Sequence, residues 1–269
     1  AACKPYTAGV AKAVAADPAL SGLGTSGGGK AGTSKPALVR PMKAVGKWKK
    51  LPGKGRDISV GANGAVFMIG PDFNSVFRWN AKKKNWGEFG VGIARVAVGL
   101  NGQPWGINKS KKIWRRDGRK WTSIPGTAND IGIGANGKVW IIGTKKQTGG
   151  YGIFRWDGKW TKIRGAAVRI AVDPRGNAWA VDSKGSIFRY NGRKFVKVPG
   201  WGSSITVAAN GDVIILGKGG VPFRRLNNRW VTMPGNAVNI SAGPQGKPWV
   251  VGSKGSIFAW DGAEKVRAL

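Results

Sequence analysis

WTKIRGAAVRIAVDPRGNAWAVDSKGSIFRYN, residues Trp160–Asn191, states once in full a phrase that recurs six times along the chain. The phrase opens on an aromatic residue and a short strand ending near Pro-Gly, as in Trp48–Gly53 (WKKLPG), Trp121–Gly126 (WTSIPG), Phe195–Gly200 (FVKVPG) and Trp230–Gly235 (WVTMPG). Trp86 and Trp160 open looser copies without the proline. A small-residue strand and a Gly-containing turn follow, as in Ile58–Gly64 (ISVGANG), Ile131–Gly137 (IGIGANG) and Ile240–Gly246 (ISAGPQG). The next strand carries Phe67, Trp105, Trp140, Trp179 or Trp249, with Ile214 at that place in the fifth copy. The phrase closes on a strand such as Val76–Asn80 (VFRWN), Ile153–Asp157 (IFRWD), Ile187–Asn191 (IFRYN) or Ile257–Asp261 (IFAWD).

The opening aromatics at 48, 86, 121, 160, 195 and 230 set a period of 35 to 39 residues. Four short strands per period, separated by Gly- or Asn-rich turns, are the sequence form of a propeller blade. The spacing therefore predicts an all-β fold, a six-bladed β-propeller over residues 48–269, preceded by an extended basic tail over 1–47. Asn63-Gly64, Asn101-Gly102, Asn136-Gly137 and Asn210-Gly211 mark hairpins after innermost strands, because primed turns need residues that tolerate positive φ. Trp48–Pro52 precedes any blade, and the last copy lacks a well-formed outer strand after Asp261. Trp48–Pro52 is thus expected to pair with the last blade and close the ring, removing a sheet edge; Lys265–Leu269 competes for that place.

The balance of 45 Lys+Arg against 12 Asp+Glu gives a formal charge of +33, which draws in polyanions and disfavours compaction unless screened. Nucleic acid, lipopolysaccharide, acidic polysaccharide, anionic lipid and an acidic protein assembly all qualify as partners on charge alone. There is no His, so the commonest general base and metal ligand is missing, and no Walker, Rossmann or zinc pattern occurs. No enzyme activity, cofactor or metal is expected, a Ser–Lys arrangement formed only in three dimensions being the catalytic alternative.

The tail is rich in Ala, Gly, Ser, Pro and Lys, reads as disordered in isolation, and allows a short helix over 8–16. A partner chain or the outside of the propeller would order it. Its Cys3, the only cysteine, rules out an internal disulfide and is a candidate covalent tether through a lipid, another chain or a cofactor, or else an idle thiol. Ala1-Ala2-Cys3 resembles what remains after cleavage at a small-residue signal site, or the end of a lipoprotein signal; an internal boundary is the competing reading. With no apolar run long enough to cross a bilayer, the expected location is secreted, periplasmic or cell-surface, with peripheral or lipid-anchored membrane association, or cytoplasmic if no signal peptide was removed.

The combination W-x-x-I-P-G, then D-I-x-x-G-A-N-G-x-V-W, then I-F-R-W resembles the tectonin repeat, most closely over Trp121–Trp140, and the resemblance covers residues 48–265. It implies a six-bladed tectonin β-propeller similar to tachylectin-type and fish-egg lectins, which bind bacterial lipopolysaccharide and other glycans without catalysis. The fifth copy departs from the motif at Phe195 and Ile214, and the second at Phe89-Gly90. The matching positions are structural ones, so no sugar-binding residue carries over.

Candidate site residues come from departures from the repeat. Trp201 lies out of register in the 200–203 loop, which shares a face with the hairpins between second and third strands. Two of those hairpins are enlarged, over 70–75 and 143–152, and that face carries Lys109, Lys111, Lys112, Lys145, Lys146, Lys184 and Lys254. An aromatic beside long loops and lysines suits an anionic glycan or lipopolysaccharide. The opposite face collects Lys82, Lys83, Lys84, Arg116, Arg119, Lys120, Arg193 and Lys194, a surface for a polyanion such as nucleic acid or an acidic assembly. Arg78, Arg115, Arg155, Arg189 and Arg224 recur at one place in five copies and are read as structural, bonded to carbonyls or stacked on tryptophans between blades, in preference to a repeated anion site.

Overall fold

A Pro-Gly pair cannot continue a β-ladder unchanged: proline has no N–H to donate, and the glycine here adopts positive φ (89° at Gly53, 102° at Gly126, 122° at Gly200). In the computed structural model, which describes residues 42–44, 46–262 and 266–268, three of the four such pairs make a bulge, and Pro234-Gly235 follows the end of its strand at Thr232. The outer-strand register jumps from Leu51 to Lys54 against Ile257 and Ser256, from Ile124 to Thr127 against Ile113 and Lys112, and from Val198 to Trp201 against Ile187 and Ser186. The proline carbonyl, freed from the ladder, accepts the indole N–H that opens a neighbouring copy. Trp86 Nε1 donates to Pro52 O at 2.8 Å, Trp160 to Pro125 at 2.6 Å, Trp230 to Pro199 at 2.8 Å and Trp48 to Pro234 at 2.6 Å. The last bond spans 186 residues and joins the start of the array to its end.

Where the proline is missing the clasp changes in kind. Phe89-Gly90 replaces Pro-Gly before Trp121, and the buried Trp121 Nε1 has no partner among the described residues. Arg164-Gly165 replaces it before Phe195, whose side chain has no N–H to satisfy.

The fold is an all-β, propeller-like arrangement of antiparallel four-stranded runs, with no α-helix among the described residues. Three sheets stand alone: the strands Asp57–Val60, Val66–Ile69, Val76–Asn80 and Asn85–Gly90; the strands Arg169–Val172, Ala178–Val181, Ser186–Tyr190 and Phe195–Trp201; and Asn239–Ala242, Pro248–Val251 and Ser256–Asp261 completed by Lys47–Lys54. A seven-stranded sheet covers 95–167, because the 14-residue strand Lys120–Ile133 pairs with Lys112–Asp117 through its first half and Val139–Gln147 through its second. The remaining sheet runs through Ser204–Val207, Val213–Leu216, Pro222–Leu226 and Arg229–Thr232.

Trp48 pairs with Trp260, so the N-terminal segment does supply the outer strand of the last copy. The competing segment does something else: Val266–Ala268 pairs antiparallel with Met42–Ala44, which lies parallel to Arg229–Thr232. The expectations for Cys3, the helix over 8–16 and the rest of the tail up to 41 lie outside the described residues.

Innermost strands are tied side chain to backbone. Val98 N donates to Ser59 Oγ (3.1 Å), Val60 N to Ser241 Oγ (2.9 Å) and Ala242 N to Thr206 Oγ1 (2.9 Å). At their leading ends the charges alternate. The fully buried Asp130 accepts from the Ile170 N–H at 2.9 Å and from Arg95 Nε, while Asp57 accepts from the Val96 N–H at 2.8 Å and Asn239 Nδ2 at 2.6 Å. Arg95 reaches Asp57 at 3.6 Å. Burial works against the Arg95 charge, but Asp130 and Asp57 outweigh it and hold its pKa above the usual guanidinium range. Burial pushes the Asp57 carboxyl up, with Arg95 opposing.

Candidate functional site

The recurring arginines take the structural role. Cross-strand pairing sets Arg78 opposite Phe67, Arg115 opposite Trp105, Arg155 opposite Trp140 and Arg189 opposite Trp179. Each guanidinium lies 5.5 to 5.9 Å from its partner's ring centroid. The fifth copy offers Ile214 instead of a ring, and Arg224 there is buried, donates to the Gly246 carbonyl and stands 4.0 Å from Asp212.

Trp201 is in a strand rather than a loop. After the bulge at Pro199-Gly200 the outer strand resumes for one residue, pairing Trp201 with Ser186. Its indole N–H donates to the Lys184 carbonyl at 2.8 Å, and its ring lies against Gly185, whose φ of 82° and lack of a Cβ leave room for it. The side chain is nonetheless 48% exposed. The enlarged hairpin over 143–152 is likewise mostly strand: Lys145 and Lys146 lie on Val139–Gln147, and Lys146 pairs with Tyr151. Gly149 O accepts from the Ser183 N–H at 3.0 Å, which brings this hairpin against the one carrying Lys184. Trp201, Lys184 and the Lys145–Lys146 hairpin therefore form one contiguous area.

The other lysines of this face stand apart on their own hairpins, Lys109, Lys111 and Lys112 on one and Lys254 on another, all exposed. Lys112 begins the strand Lys112–Asp117 instead of lying in a loop. Phe73, Val91 and Val238, exposed by 45%, 57% and 58%, occupy loops of the same face and escaped the sequence reading, which weighed tryptophans alone.

On the opposite face Lys82, Lys83, Lys84, Arg119, Lys120, Arg193 and Lys194 are exposed, and none forms an ion pair among the described residues. Arg116 does not belong with them. It is half-buried, 4.8 Å over Phe89 and 5.6 Å over Trp121, and its Nε donates to Gly118 O at 3.1 Å. The described residues hold no group of three or more His, Cys, Asp or Glu placed for a metal ion, and no helix long and apolar enough to cross a membrane.

The model of the tectonin domain matches residues 38–120 and 92–177, which together run over more than half of the chain. The chain belongs to the tectonin family. Tectonin-2 of Physarum polycephalum is 39% identical over 66 residues, 24% of this chain and 18% of that protein, so this tectonin chain matches only a minor part of its relative's length. Among solved structures, the gluconolactonase XC5397 from Xanthomonas campestris superposes with a TM-score of 0.62 at 12% identity, over 86% of this chain and 94% of that one. A streptogramin B lyase does so with a TM-score of 0.56 at 18% identity, over 82% and 98%. At such identities the likeness is one of fold alone.

Proposed function

We propose that this tectonin protein is a non-enzymatic, lectin-like binder of anionic glycans or lipopolysaccharide at a cell surface, acting through the face that carries Trp201. The observation that carries the reading is the state of Trp201: pinned through its N–H and by its seat on Gly185, yet half exposed beside Lys184. A fixed aromatic surface loses little freedom when a sugar ring stacks on it, and neighbouring ammonium groups add attraction for phosphate, sulfate or carboxylate. The exposed Phe73, Val91 and Val238 on the same face suit the acyl-bearing part of a glycolipid.

The architecture proposed for it is a six-bladed propeller with a separate basic N-terminal tail, secreted, periplasmic or surface-attached. The seven-stranded sheet divides at Lys120–Ile133 into two four-stranded runs, which supports six units in place of five sheets. The Trp48–Pro234 clasp supports closure.

A second reading is favoured by the unpaired cations of the opposite face: a basic scaffold subunit that docks on an acidic assembly or nucleic acid. Charge reversal on each face separates the two. Changing Lys145→Glu, Lys146→Glu and Lys184→Glu together is expected to weaken binding to lipopolysaccharide about tenfold or more, measured by surface plasmon resonance. Changing Lys82→Glu, Lys83→Glu and Lys84→Glu should weaken it less than about threefold, through the general field alone. The reverse order would favour the scaffold reading.

A further inference from the structure

Between the 169–201 sheet and the strands of 204–232 the surface opens into a cleft of about 400 Å³, lined by Trp179, Arg189, Val213, Arg225, Asn227 and Asn228 among others. Its Arg225 breaks the repeat. The fourth residue of a closing strand is Trp79, Trp156, Tyr190 or Trp260 in four other copies, and those rings pack on the opening aromatics Trp86, Trp160, Phe195 and Trp48. Here a guanidinium takes that place, 5.7 Å over Trp230 and 5.6 Å over Trp179.

Arg189 occupies the same indole, 5.5 Å from the Trp179 centroid. Two like charges thus share one ring at the edge of a cleft. Arg189 has an acidic partner in Asp173 at 3.3 Å, but that carboxylate also accepts the Arg175 and Asn177 N–H groups. Arg225 has none among the described residues: one terminal nitrogen donates to Asn228 Oδ1 at 3.2 Å, and its buried Nε has no partner there either. Burial and then the charge of Arg189 pull the Arg225 pKa below its usual value. The nearby Asp212 is engaged by Arg224 and Asn210. Arg116, the one other arginine at this place in the repeat, spends its Nε on Gly118 O.

A tetrahedral oxyanion between the two guanidiniums would neutralise their repulsion and accept charge-assisted bonds from their terminal nitrogens. We infer that this cleft is a binding site for a sulfate or phosphate group, held by Arg189 and Arg225. It opens at the turns containing Gly211 and Asn227-Asn228, on the face opposite Trp201, and does not depend on the glycan reading of that face.

The test is calorimetric titration of the full chain with sodium sulfate, at ionic strength held constant with chloride. Arg225→Tyr, which installs the residue type found at Tyr190, is expected to weaken sulfate binding about tenfold or more, whereas Arg116→Tyr leaves it unchanged. Arg189→Gln, at an exposed position, is the second variant and should weaken binding to a similar degree should Arg225→Tyr impair folding. Galactose 6-sulfate and glucose 6-phosphate in parallel identify the carrier: binding of either, with the same dependence on Arg225, supports the site. Sulfate affinity equal in wild type and Arg225→Tyr, or indistinguishable from chloride in wild type, would overturn it.

Discussion

Replacing Asp130 by alanine is expected to cost about 3 kcal/mol of folding stability, the lower end of what breaking a buried ion pair removes. Asp130 is fully buried and holds two groups at once, the Ile170 N–H of one inner strand and the Arg95 guanidinium of another. Its loss leaves a buried donor unsatisfied and deprives Arg95 of its nearest partner. The effect stays at the lower end because Arg95 is 26% exposed and keeps Asp57 at 3.6 Å. Guanidinium chloride unfolding measures it, with Asp117→Ala as comparison: that residue pairs with Arg115 at 2.8 Å on the surface and should cost less than about 1 kcal/mol. Equal costs for the two variants would mean that alternating charges at the leading ends of the inner strands do not hold those strands together.

Trp201→Ala should reduce affinity for lipopolysaccharide roughly thirtyfold, about 2 kcal/mol, the scale on which a central aromatic contributes to an interface. Stability should change by less than about 1 kcal/mol, because the side chain is half exposed and the Lys184 carbonyl it releases sits in an exposed turn where water replaces the indole. Isothermal titration measures the first quantity and thermal unfolding the second. A folded Trp201→Ala protein that binds as tightly as wild type would remove this residue from the site.

The repeat was legible because Trp, Pro and Gly each impose a local geometry that a sequence displays directly. Trp48 could be assigned to the last sheet since an unmatched opening strand at one end met a missing outer strand at the other. The clasp between an indole and the Pro carbonyl of another copy was not legible, since it depends on where a bulge points a carbonyl in three dimensions. Phe195 after Arg164-Gly165 leaves no indole N–H to satisfy, whereas Trp121 after Phe89-Gly90 keeps one without a partner among the described residues.

The same limit governed the site. Trp201 stood out as an off-pattern aromatic, but the bulge at Pro199-Gly200 returned it to the strand and fixed its orientation. Arg116 reads as part of the polyanion surface because charge alone does not reveal that its neighbours Phe89 and Trp121 form a seat for a guanidinium. Arg225 carried a signal that alignment of the copies displays, an arginine where four others place an aromatic ring.

The measurement that bears most directly on the proposed function is the affinity of the full chain for lipopolysaccharide at about 50 and about 200 mM salt, with free saccharides as competitors. Binding through a stereochemically defined site with two or three charge contacts should weaken by no more than about fiftyfold over that range and be displaced by free sugar. Neutralising six to ten charges without such a site would instead lose about a thousandfold or more. That steeper loss, with no displacement by any sugar, would contradict the lectin reading and leave a general polyanion binder.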